Sequence, residues 1–237
     1  MNSLEQTGIN HVYHITPIHY LPRILQNKRL LSKSRLISDG FSTTHFRKTS
    51  HKVDGDRGFN TYVHLTPSEW PPILASKLTK GFPHLRLKIN AQTLGEHFET
   101  CRFNIARTRN IKGGKSPAAE NNLNGYYFDN LSVPVAREIR DKIYMLRNCK
   151  LNQLEVLIKD QLKLANDTII EYFSERDFNL IQSIVHSHNV PFHVKKKIPH
   201  FEYPKNDNHI NEVKNYLEKL SDNPNWKGDG LDFDKLL

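Results

Sequence analysis

Three short segments of the sequence combine strand-forming residues with side chains that can bind or react. They are Tyr-His-Ile-Thr at 13–16, Tyr-Val-His-Leu-Thr at 62–66 and Gln-Leu-Glu-Val-Leu-Ile at 153–158. The third segment contains Glu155, and a carboxylate held in place can stabilise positive charge or take a proton from a nucleophile. Each segment alone also fits an ordinary packed strand, so the order of the three along the chain is the informative feature.

Strands are predicted to position these segments. Residues 10–16 and 61–66 are rich in β-branched and aromatic residues, and each run is closed by a proline. Residues 153–159 form the strand of Glu155, and residues 169–173 are its expected partner. Residues 85–89 alternate apolar and polar side chains, which predicts a half-exposed strand.

Helices and long loops are predicted between the strands. The helical segments are residues 20–28, 68–78, 135–146, 178–185 and 210–220. Two polar stretches, 32–60 and 102–124, are longer than ordinary connections, and loops of that length are usually functional. Short strands with helices inserted between them predict an α+β fold.

Composition points to a polyanionic partner. The chain has 34 Lys and Arg against 25 Asp and Glu, a net charge of +9. Such an excess attracts nucleic acid. The polar N-terminus lacks a signal peptide, and no window has the roughly 20 apolar residues that span a bilayer, so we expect a cytoplasmic protein without a membrane partner. With two cysteines and no metal-binding motif, no metal site is predicted.

The order of the three segments resembles the ADP-ribosyltransferase superfamily, and within it the DarT-type ADP-ribosyltransferases of nucleic acid. The stretch V-Y-H-I-T-P-I-H-Y-L-P-R-I-L-Q-N-K-R-L-L-S is similar to the opening strand and helix of that family. Q-L-E-V-L-I-K resembles its catalytic glutamate strand, and Y-V-H-L-T-P its central strand. V-H-L-T is also similar to a strand of the tRNA 2′-phosphotransferases, which share this NAD fold.

The resemblance implies a split β-sheet core with peripheral helices and NAD as a substrate. We expect a catalytic domain over residues 1–190, with residues 191–237 packing on it or continuing it. The expected catalytic residues are Glu155, Gln153 near the acceptor, and an arginine that is either Arg47 or Arg57, with Arg47 favoured because Arg57 lies in a possible turn. The expected NAD-binding residues are His14, Thr16, Tyr62, His64 and Thr66.

The basic residues near the Glu155 strand are the expected contacts for nucleic acid, namely Arg107, Arg109, Lys112, Arg137, Arg140 and Arg147. The resemblance implies transfer of ADP-ribose to a base of single-stranded DNA or RNA. It also implies a toxin–antitoxin or anti-phage setting with a protein antitoxin. Two alternatives stay open: an enzyme of the same fold acting on protein or tRNA phosphate, and a non-enzymatic nucleic-acid-binding protein.

Overall fold

The computed structural model describes residues 8–41, 59–67, 83–97, 102–104, 125–127 and 155–198, together with single positions at 69, 71, 74, 77, 78, 211, 214, 215, 218, 219, 222 and 223. In these residues the chain forms two four-stranded sheets, a separate two-stranded sheet and a few helices. The mixed α+β class predicted from the sequence is confirmed.

The first sheet has the strand order β1-β4-β9-β10. Its strands are β1 (His11–Pro17), β4 (His84–Asn90), β9 (Ile169–Tyr172) and β10 (His193–Lys196). β4 is antiparallel to both β1 and β9, whereas β10 is parallel to β9. Alternate residues such as Val12, Leu87 and Ile170 enter the main hydrophobic core, because side chains of a strand point to opposite faces in turn.

The second sheet has the order β3-β7-β5-β6 and is antiparallel throughout. Its strands are β3 (Tyr62–Leu65), β5 (Arg102–Asn104), β6 (Gly125–Tyr127) and β7 (Glu155–Lys159). A short ladder of β2 (Arg29–Leu31) and β8 (Gln161–Lys163) follows the end of β7. The sheet core is therefore split, as the resemblance implied.

Three α-helices have complete bounds in the described part of the chain: α1 (Leu21–Asn27), α2 (Lys33–Ser38) and α3 (Glu175–His188). α1 begins after the turn Ile18–Tyr20, carries a proline in its first turn, and packs against α3. None of the helices described has the length and apolar character needed to cross a membrane.

The predicted pairing of residues 169–173 with the Glu155 strand is wrong. β9 lies in the first sheet between β4 and β10, and β7 lies in the second sheet between β3 and β5. β8 follows β7 in the chain but pairs with β2 instead. Proximity in sequence favoured a local pair, and the long-range partners on both sides of β7 override it.

Two predicted loops begin with regular structure. β5 opens the stretch 102–124, because its three residues complete the sheet between β6 and β7. α2 opens the stretch 32–60, because the Ser32 hydroxyl accepts a hydrogen bond from the backbone N–H of Arg35 at 3.2 Å. The predicted helix 135–146 and the loop residues 42–58 and 105–124 lie outside the described residues, and the predicted helices 68–78 and 210–220 are described only in part.

Removing the Ser32 cap should destabilise the protein by about 1 kcal/mol, because Ser→Ala at a helix N-cap has that typical cost. Ser32 is also buried, so no water replaces the lost acceptor. Urea denaturation of Ser32→Ala is the measurement. Ser38→Ala at the exposed end of the same helix is the control, and it should not lower stability since alanine favours helix. Equal effects in the two variants would contradict the capping role.

Residues 191–198 continue into β10, the edge strand of the first sheet. The predicted boundary between residues 190 and 191 stays a prediction.

Candidate active site

The three segments singled out in the sequence meet where the two sheets join. The backbone N–H of Tyr13 in β1 donates to the carbonyl of Thr66 at 2.7 Å, and the N–H of Thr66 donates back at 2.9 Å. Leu65, the residue before Thr66, is paired with Val156, the residue after Glu155 in β7. The backbone thus holds β1, β3 and the start of β7 together at one junction.

His14 links the two sheets through its side chain. Its ring is half-buried, and Nδ1 lies 3.1 Å from the backbone carbonyl oxygen of His64. Burial lowers the pKa of His14 to about 4, against the opposing effect of this hydrogen bond, so the ring is neutral at pH 7. A carbonyl can only accept, so Nδ1 carries the proton and Nε2 keeps its lone pair. His14 can therefore accept a hydrogen bond from a hydroxyl group.

The predicted residues of β3 lie at different depths. His64 is half-buried, and its Nε2 donates to the carbonyl of Phe59 at 3.1 Å. Tyr62 packs with Phe59 and Leu157 in a small buried cluster, away from the junction. Thr66 and Thr16 are buried, with Thr66 at the junction itself and Thr16 two residues beyond His14 in β1. Of this set, His14, His64 and Thr66 are the residues that the fold brings together.

Glu155 is the first residue of β7, where its backbone is paired with Asn104 of β5. Gln153, Arg47 and Arg57 lie outside the described residues. The same holds for the predicted nucleic-acid contacts Arg107, Arg109, Lys112, Arg137, Arg140 and Arg147. Their assigned roles stay predictions.

A buried ion pair lies next to the junction, and the sequence did not predict it. The side chains of Arg86 and Glu171 are 0% and 4% exposed, and Arg86 Nε and Nη2 lie 2.6 and 2.5 Å from Glu171 Oε2. The Arg86 guanidinium carbon also lies 4.6 Å from the ring centre of Tyr13. The predicted half-exposed character of residues 85–89 is therefore wrong at Arg86. Arg86 can be buried because Glu171 lies directly opposite it on β9 and compensates its charge.

The low pKa of His14 predicts a loss of stability in acid. The folded state has a pKa of about 4 against 6.5 for a free histidine, so between these values the unfolded chain binds more protons. The contribution of His14 to the free energy of unfolding is fully present above pH 6.5, and roughly 3 kcal/mol of it is lost as the pH falls towards 4. The measurement is urea denaturation of wild type and His14→Gln from pH 4 to pH 7. The difference between the two proteins should shrink in acid, and a constant difference would contradict the assignment.

The split sheets, their junction and the peripheral helices form an α+β architecture, and solved structures similar to this chain include DarT proteins. The chain aligns with DarT of Thermus sp. 2.9 in complex with ADP-ribosylated single-stranded DNA at a TM-score of 0.55 and 14% identity, over 84% of this chain and 95% of that one. It aligns with the same protein in complex with NAD+ at a TM-score of 0.54 and 14% identity, over 79% of this chain and 96% of that one.

A third similar structure is Thermosipho africanus DarTG in complex with ADP-ribose, at a TM-score of 0.56 and 13% identity. The alignment covers 78% of this chain and 50% of that longer chain. No protein-family model and no curated protein sequence matches the chain. The fold is therefore that of the DarT-type ADP-ribosyltransferases, as the sequence resemblance implied.

Proposed function

We propose that this protein is an NAD-dependent ADP-ribosyltransferase that attaches ADP-ribose to a base of single-stranded nucleic acid. The observation that carries the proposal is the junction of the two sheets, where neutral His14 presents a hydrogen-bond acceptor beside Thr66 and the start of the Glu155 strand. The DarT fold supports it, because solved DarT structures contain NAD+ and ADP-ribosylated single-stranded DNA.

His14 and Glu155 have separate roles in the proposed reaction. His14 Nε2 accepts a hydrogen bond from a ribose hydroxyl and so orients the sugar. As the bond between nicotinamide and C1′ breaks, nicotinamide leaves as a neutral molecule and positive charge develops on the ribose. The Glu155 carboxylate stabilises that charge, as carboxylates do for the oxocarbenium-like states of glycosidases. A base nitrogen then attacks C1′ and gives up its proton to Glu155.

The net charge of +9 favours nucleic acid as the acceptor over protein. A stacked base cannot reach a carboxylate in a cleft, so an unpaired strand is the expected substrate. We propose Gln153 and Arg47 as further catalytic residues. We also propose a thymine base of DNA as the target, with a base in RNA as the alternative.

The experiment that tests the proposal uses NAD labelled in its adenosine and, in separate reactions, single-stranded DNA, RNA and total protein. Label in DNA supports the proposed function. Label in RNA alone keeps the reaction and changes the target, and label in protein alone contradicts the nucleic-acid proposal. If no acceptor is labelled and nicotinamide is not released, the protein is a non-enzymatic binder and the proposal is wrong.

Modification of cellular nucleic acid would harm the cell that makes the enzyme. We therefore propose that the protein is the toxin of a toxin–antitoxin or anti-phage system and has a protein antitoxin. Induced expression of the wild type in bacteria should stop growth, and Glu155→Gln should relieve the arrest.

A further inference from the structure

A strip of exposed cations lies beyond the far end of the Glu155 strand. We define the basic strip as Lys28, Arg29, Arg35, Lys159 and Lys163, all of which are exposed. Residues 21–41 and 159–163 together contain seven Lys and Arg against two Asp, a local charge of +5. Positive charge gathered on one side of a fold attracts a polyanion.

Two of these cations face each other directly. Arg29 in β2 and Lys163 in β8 are cross-strand partners, an arrangement of like charges that costs stability. Arg29 is held in place by its own hydrogen bonds, from Nε to the carbonyl of Asn27 at 3.2 Å and from Nη1 to Gln161 Oε1 at 2.9 Å. An anion placed beside Arg29 and Lys163 would relieve their repulsion, and phosphate is an anion that arginine binds well.

A cavity of about 200 Å³ opens beside Arg29. It is lined by Arg29, Arg35, Asn27, Gln161, Phe41, Leu31 and Asp39, and the Asp39 carboxylate lies 3.2 Å from Arg35 Nε, so Arg29 is the cation of the lining without a carboxylate beside it in the described residues. The Arg23 guanidinium lies 4.3 Å from the ring centre of Phe41, so a flat aromatic and cationic surface borders the cavity. Aromatic rings and guanidinium groups stack bases, amides bond their edges, and arginines bind phosphate. The lining therefore suits one nucleotide unit.

The strip is fixed relative to the proposed catalytic strand. The Ser32 N–H donates to the carbonyl of Asp160 at 2.7 Å, and the Asp160 N–H donates to the carbonyl of Thr61 at 2.8 Å. These bonds join β2 and β8 to the ends of β3 and β7. At about 3.3 Å per strand residue, Asp160 lies roughly 16 Å along the chain from Glu155. That separation corresponds to about five stacked nucleotides.

We infer that the basic strip and its cavity bind the phosphate backbone and one base of single-stranded DNA several nucleotides away from the base that is modified. The inference rests on the proposed function, because it assumes that the substrate is a nucleic acid strand. A cation strip spanning two strands and a helix fits an extended strand better than a single small nucleotide, since the charges beyond the cavity would then have no phosphate to meet.

The test is fluorescence anisotropy of labelled single-stranded DNA, about 20 nucleotides long, with the full chain at several salt concentrations. For Arg29→Gln/Arg35→Gln we expect a dissociation constant about tenfold higher and a salt slope lower by about 1.4, as the loss of two phosphate contacts with a single strand predicts. Phe41→Leu should weaken binding a few-fold without changing the slope. Lys195→Gln/Lys196→Gln removes the same amount of charge from β10 in the first sheet, and this variant should bind as the wild type does.

Two results would overturn the inference. One is equal weakening in the β10 variant, which would make the effect one of net charge. The other is a loss of NAD affinity in Arg29→Gln/Arg35→Gln with no loss of DNA affinity, which would assign the cavity to NAD.

The binding assay needs no turnover, so it separates the two proposals. If the wild type labels DNA but the strip variants bind single-stranded DNA as tightly as the wild type does, the inference fails and the proposed function stands. If the strip variants weaken DNA binding but no acceptor is ever labelled, the proposed function fails and the binding surface stands.

Discussion

Glu155→Gln should lower ADP-ribose transfer to single-stranded nucleic acid by about 10³-fold. Glutamine keeps nearly the shape of glutamate but loses the negative charge that we propose stabilises the ribose cation and the oxygen that we propose takes the acceptor proton. Both losses act on the transition state and not on the ground state. We therefore expect kcat to fall while the dissociation constant for NAD changes little.

The measurement is the initial rate of nicotinamide release and of acceptor labelling, together with NAD binding by calorimetry. Glu175→Gln is a matched control, because Glu175 is an exposed carboxylate at the start of α3 whose partner is Lys196. It should turn over at the wild-type rate. A Glu155→Gln protein that folds, binds NAD and keeps more than about a tenth of the activity would remove Glu155 from the mechanism.

The local segments of the site could be predicted from the sequence because short-range patterns determine them. The β-branched residues around His14 and His64, and the prolines that follow, predicted two strands that the structure has. The first position of β7 is Glu155, inside the strand predicted for it. The DarT-type order of these strands was sufficient to predict the split-sheet fold.

Long-range pairing could not be predicted in this way. Arg86 and Glu171 are 85 residues apart, and each looks like a surface residue in its own segment. The pairing of Arg29 with Lys163 could not be predicted from a local pattern either, because only the β2–β8 ladder brings them together. A pattern of alternation shows which side chains share a face, but it does not show whether another layer covers that face.

Removing one partner of the buried Arg86–Glu171 ion pair should strongly destabilise the folded protein. Arg86→Met leaves the Glu171 carboxylate buried without its charge partner, and we expect a loss of about 3–5 kcal/mol. Glu69, the second carboxylate near Arg86, is 43% exposed and has an ion pair with Lys197, so it tolerates the change. The contact of Arg86 with the Tyr13 ring is lost as well, next to the junction where Tyr13 bonds Thr66.

Urea denaturation of three variants separates the charge effect from simple loss of packing. Arg86→Met/Glu171→Met removes both charges and should regain much of the lost stability, since a buried ion pair replaced by apolar side chains is often neutral. Arg35→Met makes the same chemical change in the exposed pair with Asp39, and it should cost at most about 0.5 kcal/mol. If the double variant is less stable than Arg86→Met, the uncompensated Glu171 charge is not the cause. The pair would then act through its contacts with Tyr13 and the β1 strand that carries His14.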